Sequence, residues 1–79
     1  MKVKIFINLK PEILDPQGEA IAKSLKTIGF SGINSLRQGK VIEIDLEETD
    51  SERAIILGKE MCYKLLANSV MEDFSITIE

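Results

Sequence analysis

The sequence predicts an α+β domain with the element order βαββαβ, and periodic apolar residues carry that prediction. Lys2–Leu9, Val41–Glu47 and Val70–Ile78 alternate apolar and polar residues, which is the pattern of half-buried strands. Residues 16–28 and 50–67 instead repeat apolar residues with the period of a helix. Together with a short strand in the middle of the chain, these elements form two split βαβ units. Right-handed crossovers then give a ferredoxin-like two-layer sandwich, a four-stranded antiparallel sheet with two helices on one face.

The first strand is predicted to lie inside the sheet, between the third and fourth strands. Its apolar face carries Val3, Ile5, Ile7 and Leu9. On the opposite face, Lys2 and Lys4 would lie beside Glu43 and Asp45 on one side and beside Asp73 on the other. Opposite charges on neighbouring strands stabilise a sheet, so the charge pattern agrees with this strand order.

The first helix is predicted to begin after Asp15, because an aspartate N-cap followed by proline is typical of a helix start. The helix extends to Ile28, and Gly29 ends it in the left-handed conformation. Gly18 lies in the first turn, where glycine costs roughly 0.5–1 kcal/mol relative to alanine. Two interpretations stay open: Gln17 and Gly18 meet a partner or an anion at the helix end, or the glycine avoids a clash with the preceding loop.

The middle of the chain is predicted to form a β-hairpin. Ile33–Arg37 and Val41–Glu47 are its strands, and Gln38-Gly39-Lys40 is its turn, with the glycine at positive φ. Arg37 and Lys40 flank the turn. Their side chains would either bind a phosphate or a partner's carboxylate, or remain solvated.

The second helix is predicted from Asp50 to Ala67, with Thr49 as the cap of a Thr-x-x-Glu capping box. Cys62, the only cysteine, lies on the apolar stripe of this helix and is interpreted as a packing residue. Asn68 is expected to end the helix in the left-handed conformation, because asparagine tolerates it better than most residues.

A small apolar patch is expected on the otherwise polar face of the sheet. Phe6, Val41 and Met71 share that face and are consistent with a second subunit docking there. The free edges of the sheet offer an alternative contact. The sequence does not choose between the two.

The composition argues against several classes of function. The 79 residues are expected to form one domain, 1–79, and its net charge of −3, without a basic cluster, argues against a nucleic-acid partner. Histidine is absent, which removes the commonest proton-transfer group and metal ligand, so neither catalytic residues nor a metal are expected in this chain. No apolar run is long enough for a membrane span or a signal peptide, and a cytoplasmic location is expected.

Three stretches resemble, in order and spacing, the signatures of the PurS family, the small subunits of phosphoribosylformylglycinamidine synthase. They are LKPEILDPQG at Leu9–Gly18, LRQGK at Leu36–Lys40 and EMCYKLLANSVMEDF at Glu60–Phe74. The similarity extends over essentially the whole chain. Two departures are Ser69, where the family often has proline or threonine, and Phe74, where it often has tyrosine.

The resemblance implies a non-catalytic subunit of an enzyme of de novo purine biosynthesis. That enzyme uses ATP, glutamine and water to convert formylglycinamide ribonucleotide to formylglycinamidine ribonucleotide, releasing ADP, phosphate and glutamate. In the family a glutaminase subunit releases ammonia, and a large synthetase subunit uses ATP and Mg. The small subunit, a homodimer without a cofactor of its own, bridges the two and supports ammonia transfer. A tetramer is equally compatible with two free sheet edges.

The resemblance also indicates which residues contact partner subunits. They are Asp15, Gln17 and Gly18 at the first helix, Arg37, Gly39 and Lys40 at the hairpin, and Asn68, Glu72 and Asp73 after the second helix. Gly39 and Asn68 have structural explanations of equal weight. The alternative function, from a different class, is a stand-alone dimeric ferredoxin-like module that binds a small ligand and regulates another enzyme.

Overall fold

The computed structural model describes every residue from Met1 to Glu79 and consists of one sheet and two helices. The elements are β1 (Lys2–Leu9), α1 (Pro16–Thr27), β2 (Gly39–Asp45), α2 (Ser51–Met61), a π-helix (Cys62–Leu66) that continues α2, and β3 (Glu72–Ile78). The strand order is β2-β1-β3, and β1 is antiparallel to both neighbours. The α+β class and the central position of the first strand are therefore confirmed. Neither helix has the length and apolar content that a membrane span requires.

The core lies between the sheet and α2. Its buried members are Val3, Ile5, Ile7, Ala54 and Cys62. Gly58 lets α2 approach β3 closely, because a Cβ at that position would lie 3.1 Å from the Cδ1 atom of Ile76. Burial raises the pKa of the Cys62 thiol, and this residue is a packing residue as predicted.

The polar face of the sheet carries the expected charge pairs beside β2 but not beside β3. Lys2 lies opposite Asp45 and Lys4 lies opposite Glu43. Asp73 lies opposite Asn8 instead, and its carboxylate is 3.1 Å from the Nζ atom of Lys10. The expected pairing of Asp73 with Lys2 and Lys4 is wrong because the antiparallel register places the start of β3 beside the end of β1.

The predicted fourth strand and its hairpin are absent, which leaves three strands. Ile33–Arg37 forms no ladder, and the chain enters β2 at Gly39 without a turn at Gln38-Gly39-Lys40. Gly39 does not have positive φ, whereas Gly29 (φ 108°) and Gly32 (φ 81°) do. Residues 33–37 lie along α1 instead, and together they line a crevice of about 310 Å³.

Residues 16–37, which we call the arm, project away from the sheet. α2 packs on β1 and β3, whereas α1 has no comparable packing against any strand or helix. The molecule is consequently 48 Å long, and its radius of gyration is 15.8 Å, against about 12 Å for a compact chain of this length. The expectation of two helices on one face of the sheet is therefore wrong for the single chain.

The ends of α1 follow the sequence signals. Asp15 is the N-cap and accepts a hydrogen bond from the backbone N–H of Gly18. After Thr27 the chain reverses at Gly29, and the N–H of Phe30 donates to the carbonyl of Leu25 at 3.0 Å. This confirms the predicted helix start and the left-handed stop.

The ends of α2 differ from the prediction. The cap is Asp50, whose Oδ1 atom accepts the N–H of Glu52 at 3.1 Å, and not Thr49. Asn68 does not adopt positive φ, because the π-helix already ends at Ala67 in an extended conformation. The Asn68 side chain instead accepts the N–H of Val70 at 3.1 Å and caps the turn that leads into β3. A side chain that bonds two residues ahead is a common alternative to a left-handed stop.

Candidate interface site

Most of the predicted site residues meet at one end of the sheet, where the end of β1 and the starts of α1, β2 and β3 come together. This junction cluster comprises Asp15, Gln17, Gly18, Arg37, Gln38, Gly39, Lys40, Asn68, Glu72 and Asp73. Its members come from three stretches that are far apart in the sequence. The fold thus converts three separate motifs into one surface.

Asp15 is the buried centre of the junction cluster. One carboxylate oxygen accepts the N–H of Gly18 at 2.9 Å, and the other accepts the N–H of Gln38 at 2.7 Å. These two backbone donors, Gln38 first, hold the pKa of the Asp15 carboxyl below its usual range. Both oxygens already accept hydrogen bonds, so the Asp15 side chain is not free to contact a partner. We call this pair of hydrogen bonds, which joins the start of the arm to the start of β2, the Asp15 clamp.

Gly18 and Gly39 are required by close packing. A Cβ at Gly18 would lie 2.9 Å from both the Cγ atom of Asp15 and the carbonyl oxygen of Leu36. A Cβ at Gly39 would collide with the Asn8 side chain and lie 3.0 Å from the carbonyl of Ile7. The structure therefore supports the loop-clash interpretation of Gly18 and a structural role for Gly39.

Charged side chains surround the clamp. The Nζ atom of Lys40 lies 3.8 Å from Oε2 of Glu72, whose Oε1 accepts the N–H of Asn68 at 2.8 Å. The Arg37 guanidinium donates to the carbonyl of Lys10 at 2.9 Å and so ties the arm to the end of β1. Lys40 and Asp73 are exposed, whereas Glu72 is half-buried. Lys40 and Asp73 are thus the charges best placed to contact another protein.

An open cleft of about 230 Å³ separates the start of α1 from the start of β2. Gln38 Nε2 donates to Gln17 Oε1 at 2.9 Å beside it, and Lys40 and Glu72 line it. It presents amides and charges of both signs, which suits a polar loop of another protein. No cluster of three or more His, Cys, Asp or Glu residues is arranged to hold a metal ion.

Sequence reasoning missed Lys10 and Gln38. Lys10 provides both the carbonyl that Arg37 binds and the ammonium that pairs with Asp73, and the N–H of Gln38 completes the Asp15 clamp. Both residues lie within or beside the family stretches. The sequence pattern predicts a hairpin turn at Gln38, and a local pattern of this kind does not show a hydrogen bond to a residue 23 positions away.

The predicted dimer patch is only partly brought together. Phe6 lies directly opposite Val41 on the polar face of the sheet. Met71 lies beside Lys10, and the N–H of Lys10 donates to the carbonyl of Met71. Lys10 follows the end of β1 and is four residues after Phe6. At about 3.4 Å per residue this separates Met71 from Phe6 by roughly 14 Å.

The comparisons with known proteins decide the family. A family model described as PurS, phosphoribosylformylglycinamidine (FGAM) synthase, matches residues 2–79. The chain belongs to the PurS family. The subunit PurS of phosphoribosylformylglycinamidine synthase from Mycobacterium leprae is 47% identical over 77 residues, which cover 95% of this chain and 91% of that relative.

Solved structures of the PurS family share the whole fold. The crystal structure of Methanocaldococcus jannaschii PurS has a TM-score of 0.90 at 37% identity, covering 99% of this chain and 94% of that chain. A chain in the structure of PurLQS from Thermotoga maritima has a TM-score of 0.87 at 30% identity, covering 96% and 93%. Because the likeness spans the arm, the arm belongs to the family fold.

The sequence resemblance is confirmed by these comparisons. The chain is a small subunit of FGAM synthase, an enzyme of purine biosynthesis, and takes part in the complex that performs the reaction.

Proposed function

We propose that the chain is the non-catalytic assembly subunit of FGAM synthase: as a homodimer it joins the glutaminase subunit to the large synthetase subunit and supports ammonia transfer. The junction cluster is the observation that carries this proposal. It brings residues of the three family stretches into one polar surface. The only buried carboxylate there, that of Asp15, accepts hydrogen bonds from backbone N–H groups at both oxygens. ATP and Mg are used by the synthetase subunit, and this subunit carries no cofactor.

Assembly alone can accelerate such a reaction. Ammonia released by one active site must reach a second before it escapes into water, and holding the two sites in register removes a bimolecular step. A two-fold symmetric dimer would present two junction clusters to its partners. We place this assembly in the cytoplasm. A tetramer, formed from two such dimers, would present the junction clusters of both dimers.

Within the junction cluster we divide the residues by role. Lys40, Gln17 and Asp73 contact the partner subunits. Lys40 and Gln17 lie at the surface beside the cleft, and Asp73 is exposed where it pairs with Lys10. The remaining members shape that surface through the contacts described above. They are Asp15, Gly18, Arg37, Gly39, Asn68 and Glu72.

The assembly role is tested by mixing the glutaminase and synthetase subunits with and without this chain and measuring the mass of the product by light scattering after gel filtration. We expect a complex of all three chains only when this chain is present. If the glutaminase binds the synthetase equally tightly in its absence, the bridging role is wrong.

Lys40→Ala is expected to weaken complex formation about tenfold, which corresponds to about 1.4 kcal/mol, while leaving the chain folded. An exposed ion pair such as Lys40–Glu72 contributes at most about 1 kcal/mol to stability, so the melting temperature should change little. Titration of the labelled chain into the partner subunits measures the affinity.

Lys2→Ala is the matched control, because Lys2 is an exposed lysine at the opposite end of β1. If both variants bind as tightly as the natural chain, Lys40 does not contact a partner. The single change is cleaner than one that includes Arg37, since Arg37 also holds the arm.

The alternative function, a stand-alone dimeric module that binds a small ligand, is less well supported. The cleft of about 230 Å³ is open and smaller than the roughly 300–1,000 Å³ of typical ligand sites. A metabolite that raises the melting temperature of the isolated chain would favour this alternative.

A further inference from the structure

Tyr63 is an exposed aromatic side chain whose orientation is fixed by the fold. Its side chain is 68% exposed. Its ring nevertheless packs edge-to-face on the half-buried ring of Phe74, with the ring centroids 5.4 Å apart and the ring planes at 82°. Aromatic pairs favour this geometry. Tyr63 therefore presents most of its ring to solvent in one defined orientation.

The π-helix brings Tyr63 to this position. The N–H of Ala67 donates to the carbonyl of Cys62 at 3.0 Å, which is the hydrogen bond of a π-turn. Cys62 is buried in the core, and the next side chain, Tyr63, points outward beside β3. Lys59 precedes Tyr63 by four residues and lies on the same side of the helix. The end of α2 thus presents an aromatic ring and an ammonium group together.

An open crevice of about 460 Å³ lies beside Tyr63, and we call it the tyrosine crevice. Its aromatic lining residues are Tyr63 and Phe74, and its charged ones are Lys10, Lys59, Glu72 and Asp73. Three of these side chains, Lys59, Tyr63 and Asp73, are exposed. A small ligand would leave much of its surface in solvent here, whereas ligand sites bury most of it. The crevice suits a segment of another protein better.

Lys59 is the charged residue of the tyrosine crevice that has no ion pair within the chain. The Nζ atom of Lys10 lies 3.1 Å from the carboxylate of Asp73. Glu72 lies 3.8 Å from the Nζ atom of Lys40. No carboxylate lies within 4.0 Å of the Lys59 ammonium. The charge that the crevice leaves uncompensated is therefore positive, which favours a carboxylate from another molecule.

The tyrosine crevice is continuous with the junction cluster. Glu72 lines both the crevice and the cleft between the starts of α1 and β2. Asp73 lines the crevice and is also a member of the cluster. A protein bound at the cleft can therefore extend past Glu72 into the crevice along one surface.

We propose that the subunit that binds the junction cluster also places an acidic segment in the tyrosine crevice. A carboxylate of that segment pairs with Lys59, and an apolar side chain beside it packs on the ring of Tyr63. Tyr63 is the anchor of this contact, since residues that dominate binding are often large aromatic side chains surrounded by a polar rim. The inference rests on the proposed function and specifies the chemistry of the partner's surface.

Tyr63→Ala tests the anchor. The labelled chain is titrated separately into the glutaminase and into the synthetase. For the subunit whose binding Lys40→Ala weakens, Tyr63→Ala is expected to raise the dissociation constant about 30-fold.

Ile56→Ala is the matched control, because Ile56 is 54% exposed on α2 and does not line the crevice. It should change that constant less than about twofold. Equal effects of the two variants, or a loss confined to the other subunit, would contradict the proposal.

Lys59→Glu tests the charge and leaves the aromatic pair intact, so it remains informative if Tyr63→Ala is poorly folded. It is expected to weaken binding of the same subunit about tenfold, because two carboxylates then meet. The loss should shrink as salt is added. Lys64→Glu is the matched control, since Lys64 is an exposed lysine of the π-helix that does not line the crevice. Equal losses from both charge reversals would show that only net charge matters, which overturns the Lys59 pairing.

The remaining outcomes separate this inference from the proposed function. If Tyr63→Ala converts a homodimer to monomers in analytical ultracentrifugation, the crevice faces a second copy and the proposal is wrong. If Tyr63→Ala and Lys59→Glu bind both subunits as the natural chain does while the complex of three chains still forms, only the crevice assignment fails. If the natural chain binds neither subunit, the proposed function fails together with it.

Discussion

Ile5→Ala is expected to remove most of the free energy of unfolding of the isolated chain at 25 °C. Ile5 is 0% exposed at the centre of β1, with Ile42 opposite on β2 and Ile76 opposite on β3. Truncating a buried isoleucine costs about 2–5 kcal/mol, through lost burial and the cavity that remains. Small domains lie near the lower end of the usual 5–15 kcal/mol of stability, so this loss removes most of it.

Urea unfolding followed by circular dichroism, at one fixed protein concentration, measures the effect. Ile56→Ala is the control, because Ile56 is 54% exposed on α2 and should cost far less. Equal stability of the two variants would show that the core is not centred on β1.

Asp15→Asn is expected to lower the melting temperature by about 4–8 °C at pH 7 and to loosen the arm. Both carboxylate oxygens accept backbone N–H groups, from Gly18 and Gln38. An asparagine side chain keeps one acceptor but presents an NH₂ group to the other N–H, so one buried donor is left without a partner. Hydrogen exchange of the α1 amides reports the loosened arm.

The pH dependence follows from the lowered pKa of Asp15. Above the ordinary carboxyl pKa of about 3.9 both the folded and unfolded states are ionised, and the contribution of Asp15 to stability is complete. As the pH falls toward the depressed pKa of the folded state, the unfolded state binds a proton first and stability is lost. The stability of Asp15→Asn should therefore fall less steeply in this acid range.

Glu79→Gln is the matched control, because Lys4 also lowers the pKa of Glu79, mainly through a side-chain hydrogen bond, but at an exposed site. This variant should melt close to the natural chain at pH 7. If Asp15→Asn does the same and its acid profile is unchanged, the clamp does not hold the arm.

Local signals predicted the elements that depend on neighbouring residues. The alternation of β1, the Asp15 cap, the Gly29 stop and the buried Cys62 are all encoded within a few residues of their own position. The same reasoning failed for residues 33–37, because a strand exists only where a partner strand pairs with it. The local pattern predicts Gly39 in a turn, whereas in the structure the glycine is required because a Cβ there would collide with Asn8 and crowd the carbonyl of Ile7.

The site was predictable as a set of residues but not as an arrangement. Family resemblance identified the three stretches, and the fold brings them together at one end of the sheet. Their individual roles depend on long-range contacts, such as Asp15 with Gln38, that no local pattern shows. Several residues that are expected to contact a partner instead make contacts within the chain that hold the interface surface in place.

The central claim is that this chain couples the glutaminase to the synthetase, and the rate of formylglycinamidine ribonucleotide synthesis tests it most directly. The two partner subunits are assayed with and without the chain, using either glutamine or free ammonium as the nitrogen donor. We predict that adding the chain restores glutamine-dependent synthesis and barely changes ammonium-dependent synthesis. If neither rate responds, or if both rise equally, the chain does not couple the two active sites.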